Sequence, residues 1–379
     1  MQRVSVLRLA PGMIVAKNVF AADGRVLIAV GTSIKQAYIR RLQELGIASI
    51  YVESPLLPAI EVPEVIKEET RIKAIAMVKN AFQNFRTTKK IDFKKFSEVG
   101  SAIAAELIGN RDTLVHLTDI RSYDDYTFAH SVNVCILSVL MGTSKCYDEY
   151  KLKELALGAL LHDVGKILVP IEVLNKPGRL TPKEFTIVKE HAELGFELLR
   201  KQPDRVSLLA CHVAFQHQEK YDGSGYPRQL KGNEIHEYAR IVAVADVYDA
   251  LTSDRPYRKG MLPHEAYEIM MASGNTHFDD EVLLTFFEKI AIYPAGTIIR
   301  LNSGEVGMIT EVIPELQTRP KVQIITDSKG QRVQKLEEIN LAVHLTTFID
   351  KVFDEEETQQ WLTTNNISDL PYNQEFGWK

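Results

Sequence analysis

The sequence predicts a multi-domain protein: an all-α core, a small α+β module before it and a small β-barrel-like domain after it. Three observations carry that expectation. Apolar residues recur at three- and four-residue spacing from Glu64 to about Ile292, the period of helices with one buried face. On both sides of this region the period shortens to two, as in strands. The stretch Ser54 to Pro63 holds three prolines (Pro55, Pro58 and Pro63) and reads as a linker between the first module and the core.

The elements follow in order. Residues 1–60 alternate β-branched runs (Val4–Leu7, Ile14–Val19, Val26–Val30, Ser49–Val52) with turn signals at Pro11-Gly12, Asp23-Gly24 and Gly31-Thr32. One amphipathic helix is expected from Lys35 to Leu45, closed by Gly46 as a C-cap. Residues 64–292 form the helical domain. Its examples are Ile72-Ile75-Ala76-Lys79-Phe82, Leu155-Gly158-Ala159-His162 and Phe185-Val188-Ala192-Gly195-Leu199. Thr181-Pro182-Lys183-Glu184 supplies an N-cap, a proline at N1 and a Glu at N3 for the last of these. Residues 293–348 return to period two in Thr297–Leu301, Val306–Val312 and Lys321–Thr326, with turns at Asn302-Ser303-Gly304 and Asp327-Ser328-Lys329-Gly330. Residues 349–379 read as an acidic tail. Its Asp354-Glu355-Glu356-Glu357 run is expected to be a solvated, weakly ordered segment.

Composition narrows the functional classes. A net charge of −5 gives no general attraction to polymeric nucleic acid, so an anionic ligand needs a local cationic pocket. Cys135, Cys146 and Cys211 lack CxxC spacing, which argues for a reducing compartment and for cysteines as core filler. No run approaches the roughly eighteen apolar residues of a membrane span, and the N-terminus lacks a signal-peptide apolar region. The expected location is the cytoplasm.

The chemistry concentrates in a few polar groups set in apolar surroundings. His162-Asp163 closes the helix through Ala159-Leu160-Leu161 and is followed by Gly165 and Lys166. Burying both groups costs several kcal/mol unless something pairs with them. A metal ion is an economical partner, and a carboxylate has two oxygens with which to bridge two ions. Lys166 could direct its ammonium at a phosphate oxygen. Asp246 lies in the almost wholly apolar run Ile241–Val247, where an uncompensated carboxylate is expensive. His217 ends another apolar helix ahead of Asp222-Gly223-Ser224-Gly225-Tyr226-Pro227. His130 and His191 are isolated, the latter with Gly195 one turn on to admit a close neighbour. His116, His212, His236, His264, His277 and His344 lack such company and are read as structural. Imidazoles and carboxylates delivered from several helices point to metal-assisted hydrolysis of a phosphate ester.

His162-Asp163-Val164-Gly165-Lys166, then Asp222–Pro227, then Ala245-Asp246-Val247-Tyr248-Asp249 through Arg255-Pro256-Tyr257-Arg258, together resemble the HD-GYP family of HD-domain phosphohydrolases. The likeness spans roughly residues 110–290. It implies an all-α HD-domain fold for the core, two or three metal ions, often iron or manganese, and hydrolysis of cyclic di-GMP to the linear dinucleotide or GMP. Residues 1–60 also resemble an N-terminal module of some members. Carried over, the resemblance implies that His130, His162, Asp163 and Asp246 hold one metal, with Asp163 bridging to a second held by His191 and His217. Asp163 and Lys166 would be the catalytic pair, with Lys166 on the scissile phosphate. Gly225, Tyr226, Pro227, Asp249, Arg255 and Arg258 would line the nucleotide site.

Two positions depart from the family pattern. Gln218 stands where the second His of a His-His-Glu element is expected. Tyr126 stands one helical turn before His130, where three-metal members carry Glu. The expected partner is therefore cyclic di-GMP or a related cyclic dinucleotide, with a homodimer left open. Two alternatives stay open beside it: a slow-turnover cyclic dinucleotide sensor, and a phosphodiesterase for another cyclic dinucleotide such as cyclic GMP-AMP.

A phenol and a neutral carboxamide compete weakly with carboxylate or imidazole for a divalent ion. The chain is accordingly expected to hold at most two ions after metal-replete purification, counted by mass spectrometry. Three tightly held ions per chain would refute this, and restoring Glu at 126 with His at 218 should create the third site.

Overall fold

This computed structural model describes residues 2–21, 25–45, 47, 49–53, 65–88, 90–110, 114–115, 126–174, 176, 178–202, 206–253, 259–333 and 337–365. The linker 54–63, the Gly46 cap, the Asp23-Gly24 turn, His116, Arg255, Arg258 and residues 366–379 of the expected tail lie outside them, as does the Tyr126 side chain. The chain forms two compact units, one drawn from residues 1–63 and 291–379 and one from 64–290.

In the first unit, β1 (Gln2–Ser5), β2 (Val19–Phe20), β3 (Val26–Ile28), α1 (Gln36–Glu44) and β4 (Ser49–Val52) follow one another. β1 pairs antiparallel with β4, and β2 with β3. α1 turns Ile39 and Leu42, three residues apart, onto Val4, Val15, Ile34 and Val52.

The helical unit runs α2 (Glu68–Thr88), α3 (Phe93–Gly109), α4 (Tyr126–Ser144), α5 (Glu149–Leu161), α6 (Ile171–Leu174), α7 (Pro182–Lys189), α8 (His191–Arg200), α9 (Leu208–Gln216), α10 (Glu237–Thr252), α11 (Pro263–Met271) and α12 (Asp280–Lys289). α4 is buried on every side from Ala129 to Thr143, and α10 nearly so between Tyr238 and Ala245. Helices apolar all round belong in the middle of a bundle, and α4 packs on α5, α10, α3 and α2. The polar residues of α4 and α10 are thereby carried into the centre. Thr181 caps α7 as expected, with Glu184 reaching back to close the capping box. The sequence suggested one helix from Phe185 to Leu199; the structure breaks it at Glu190 into α7 and α8.

Asp163 opens a tight 3₁₀ turn over Val164–Leu168 that lies against α8. Gly195 admits this neighbour, as its spacing suggested, and Gly165 is the other half of the contact. A Cβ on Gly165 would overlap the His191 carbonyl oxygen and stand 2.6 Å from the Gly195 nitrogen.

Back in the first unit, β5 (Ile298–Leu301), β6 (Val306–Glu311), β7 (Lys321–Thr326), β8 (Glu338–Asn340) and β9 (Ile349–Val352) form one antiparallel sheet in the order β8-β7-β6-β5-β9, followed by α13 (Glu355–Thr364). Two expectations need correction. The sheet is open, with β8 and β9 as its edges among the described residues, so it is not a barrel. Period-two patterning reports alternation of faces, and closure is a separate matter of strand register. Residues 349–364 are not a solvated tail. β9 pairs with β5, and Leu362 with Trp361 covers the sheet face bearing Ile298, Met308 and Ile325. The acidic run is the start of α13: Asp354 accepts from Glu357 N at 2.8 Å and Glu357 accepts from Asp354 N at 3.2 Å. Carboxylates at a helix N-terminus are stabilised there by its dipole.

Because backbone opposes Gly165 directly, Gly165→Ala should destabilise the helical unit by at least ~1–3 kcal/mol, the range for overpacking. The same change displaces Asp163 and His191, so bound metal should fall with melting temperature. A variant with unchanged melting temperature and metal content would contradict the contact.

Candidate metal centre

Five helices deliver the candidate ligands. His130 lies inside α4 and Asp246 inside α10. His162 caps the end of α5, with Asp163 next to it. His191 opens α8, and His217 caps the end of α9. All but Asp246 are at most 7% exposed.

Helix ends explain how three of the rings are aimed. The last carbonyls of a helix have no intrahelical donor. His162 Nδ1 reaches Ala159 O at 2.7 Å, His191 Nδ1 reaches Val188 O at 2.7 Å, and His217 Nδ1 reaches Ala214 O at 3.0 Å. A carbonyl only accepts, so each Nδ1 carries the proton and each Nε2 offers a lone pair. The break at Glu190 has this use: it places the Val188 carbonyl at a helix end, three residues before His191. His130 lies mid-helix, where carbonyls are already engaged, and its Nδ1 turns to the Asp249 carboxylate at 2.7 Å. Asn133, one turn further along α4, holds the other Asp249 oxygen at 2.9 Å.

The Nε2 atoms converge on Asp163. Its Oδ1 lies 3.4 Å from His191 and 3.6 Å from His217; its Oδ2 lies 3.3 Å from His162 and 4.0 Å from His130. Asp246 Oδ1 stands 3.1 Å from His130 Nε2. His191 Nε2 and His217 Nε2 are 3.2 Å apart, two lone pairs facing each other. His162 Nε2 and Asp163 Oδ1 are buried with no hydrogen-bond partner. Orphaned acceptors of this kind, with nitrogen and oxygen donors, fit divalent transition-metal ions. The ligand atoms fall into three groups, His130-His162-Asp163, His162-His217-Asp246 and Asp163-His191-His217, each within 4.8 Å.

Charge balance agrees. Burial pushes the Asp163 carboxyl up, but the Lys166 charge and His162 outweigh it and hold it well below the usual range. Lys166 Nζ contacts Asp163 Oδ2 directly. Burial lowers the His191 pKa to about 4, against the pull of Asp163, so the ring is neutral and able to ligate. Burial lowers that of His130 too, but hydrogen bonds to Asp246 and Asp249 outweigh it and raise it to about 10.

The six expected ligands are thus together, and Lys166 and Tyr226 are beside them; the Tyr226 ring meets the His191 ring edge-on at 6.3 Å. Two expected substrate contacts are elsewhere. Asp249 is 2% exposed and bonded to His130, Asn133 and Ser253, so it braces the His130 ring and leaves almost no surface for a nucleotide. Gly225 is buried, with its Cβ position 2.5 Å from Glu219 Cα. Pro227 is partly exposed beside Tyr226. Among the described residues, none of His212, His236, His264, His277 and His344 joins the ligand groups.

Residues that the sequence did not single out as ligands or substrate contacts do much of the positioning. Asn133 follows His130 at helical spacing, a signal that was present. Glu219, 4% exposed, accepts from Arg228 N at 2.7 Å and Leu230 N at 3.1 Å and pins the loop after α9. Gln218 donates to Asp246 Oδ2 at 3.0 Å and accepts from the Tyr226 hydroxyl at 3.1 Å.

Residues 120–282 match the family described as HD domain, and residues 298–361 that of a KOW domain associated with HD domain. The chain is 35% identical over 297 residues to a cyclic di-GMP phosphodiesterase of Pseudomonas aeruginosa, covering 76% of this chain and 71% of that one. It is 37% identical over 178 residues to a cyclic di-GMP phosphodiesterase of Thermotoga maritima, covering 47% and 48%. It is 40% identical over 128 residues to a 3'3'-cGAMP-specific phosphodiesterase of Vibrio cholerae, covering 34% and 24%.

With a pKa of about 10, His130 is protonated at pH 7 in the metal-free protein, and an ion that binds its Nε2 must displace that proton. Metal uptake should release about one proton from this group, and affinity should rise with pH up to about 10. Calorimetry at pH 7 in buffers of different ionisation enthalpy measures it; a binding enthalpy independent of buffer would contradict the assignment.

Proposed function

This chain belongs to the HD-GYP family of HD-domain phosphohydrolases, and on that premise we propose that it hydrolyses cyclic di-GMP, to the linear dinucleotide or on to GMP, at a centre of two divalent ions, iron or manganese. The observation that carries the reading is the buried Asp163, whose two oxygens face two different pairs of imidazoles while one oxygen has no hydrogen-bond partner. His130, His162, Asp163 and Asp246 would hold one ion, and Asp163, His191 and His217 the other. Two such ions supply a nucleophilic hydroxide near neutral pH and neutralise charge on the phosphoryl oxygens.

The chain's own residues do the rest. Asp163 fixes the spacing between the two ligand sets. Asp249 and the three helix-end carbonyls hold the imidazoles in the tautomer that ligates. Lys166 contacts Asp163 and has a third of its side chain exposed, so a phosphate can reach it. It would leave Asp163 for a phosphoryl oxygen and stabilise the charge that develops there. Arg255 and Arg258 are proposed to contact the nucleotide. Among the described residues no helix is long and apolar enough to cross a membrane, and a cytoplasmic location fits the substrate.

A second substrate is supported by the 40% identity to the 3'3'-cGAMP-specific enzyme. Chromatography of nucleotides after incubation of metal-loaded protein with cyclic di-GMP and with 3'3'-cGAMP separates the two; cleavage of neither would overturn the proposal.

Asp163→Asn should abolish turnover and lower metal content together. Lys166→Ala should retain metal and slow hydrolysis by about 10²-fold, the scale of losing one electrostatic donor. A Lys166→Ala enzyme with full kcat would remove the lysine from the phosphate.

A further inference from the structure

Gln218 and Tyr226 form a hydrogen-bonded chain whose direction is forced from one end. Asp246 is an acceptor through both oxygens: its Oδ1 stands 3.1 Å from His130 Nε2 and its Oδ2 faces the Gln218 carboxamide. Gln218 must therefore present its NH₂ to Asp246 Oδ2, at 3.0 Å. Its carbonyl oxygen is then left for the Tyr226 hydroxyl, at 3.1 Å, and the phenol must donate its single proton inward. The two residues are also joined through the backbone, Tyr226 N donating to Gln218 O at 3.1 Å, so the pair is held as a unit. Burial, with Asp163 and Asp246 nearby, pushes the Tyr226 phenol upward and keeps it protonated. Half-buried beside His191, with Lys189 Nζ 5.1 Å from its ring centroid, Tyr226 stands at the edge of the metal ligands.

We infer that Gln218 is a positioning residue that sets the polarity of Tyr226, so that its hydroxyl offers the substrate only lone pairs and selects a hydroxyl or amino donor of the nucleotide over a phosphate oxygen. The inference rests on the cyclic dinucleotide reading of the site. It also gives Gln218 a use other than as a replaced ligand. An imidazole at this position would face the metal ligands, whereas the carboxamide transmits the acceptor character of Asp246 outward across two hydrogen bonds. The donor has two sources in such a nucleotide, a ribose 2'-hydroxyl and the exocyclic amine of guanine.

The test compares metal-loaded wild type, Tyr226→Phe and Gln218→Met, with metal content measured for each. Cyclic di-GMP, its 2'-deoxy analogue and cyclic di-IMP, which lacks the exocyclic amine, are the substrates. Binding of slowly hydrolysed phosphorothioate versions is measured alongside turnover. Wild type should disfavour one of the two analogues by about 3- to 10-fold in KM and in binding, the scale of one neutral hydrogen bond, with kcat within about twofold. The analogue that suffers identifies the source. That discrimination should vanish in Tyr226→Phe, which leaves the Gln218–Asp246 contact in place, and in Gln218→Met, where the phenol is free to turn its proton outward. The double variant should be no worse than either single one. If wild type binds and cleaves cyclic di-GMP yet treats both analogues alike, or if Gln218→Met keeps the discrimination, the polarity inference is overturned. If wild type neither binds nor cleaves any of them, the functional reading fails and this inference falls with it.

Discussion

A carboxylate buried among four imidazoles is the constraint on which the helical unit is arranged. Such a group is costly to bury unless its charge is met, and here it is met by nitrogen atoms drawn from four separate segments. Helix lengths matter for that reason. α5 and α9 end where they do, and α7 breaks from α8, because each end leaves a carbonyl that can take an imidazole proton. The backbone supplies by termination what an orienting carboxylate supplies elsewhere. Only His130, with no helix end beside it, needs Asp249 and Asn133.

The helical region was legible because burial writes a strong period into the sequence. α10 announced itself by the almost wholly apolar run around Asp246, and that carboxylate falls, with His130 of the buried α4, within the candidate ligand groups. The six candidate ligands were found by the same logic together with the family likeness: an ionisable group in apolar company needs a partner. What escaped was direction. Asp249 shares the face of Asp246, and spacing alone could not tell a side chain that looks out on the site from one that braces a neighbouring ring. Gly225 sits in the Asp222–Pro227 motif beside Tyr226, yet what it accommodates is the close approach of the Glu219 backbone.

The C-terminal part misled for a different reason. Alternation identified the strands β5, β6 and β7 to within a residue, but alternation is blind to whether a sheet closes. The acidic run looked solvated because charge was read without position. At the first turn of a helix those carboxylates satisfy backbone donors, and the apolar residues about one turn after Glu357, Trp361 and Leu362, do the packing. A β9 strand of four residues, Ile349–Val352, just ahead of an acidic run carries too little pattern to be recognised by itself.

The termination of α5 and α9 at the same point also shapes the local field. A helix C-terminus carries roughly half a negative charge, and both ends add to the carboxylates of Asp163 and Asp246. The N-terminus of α8 and the ammonium of Lys166 bring positive charge to the same place. A divalent ion is thus favoured on the carboxylate side and an arriving phosphate on the lysine side, a division of the field set by where three helices start and stop.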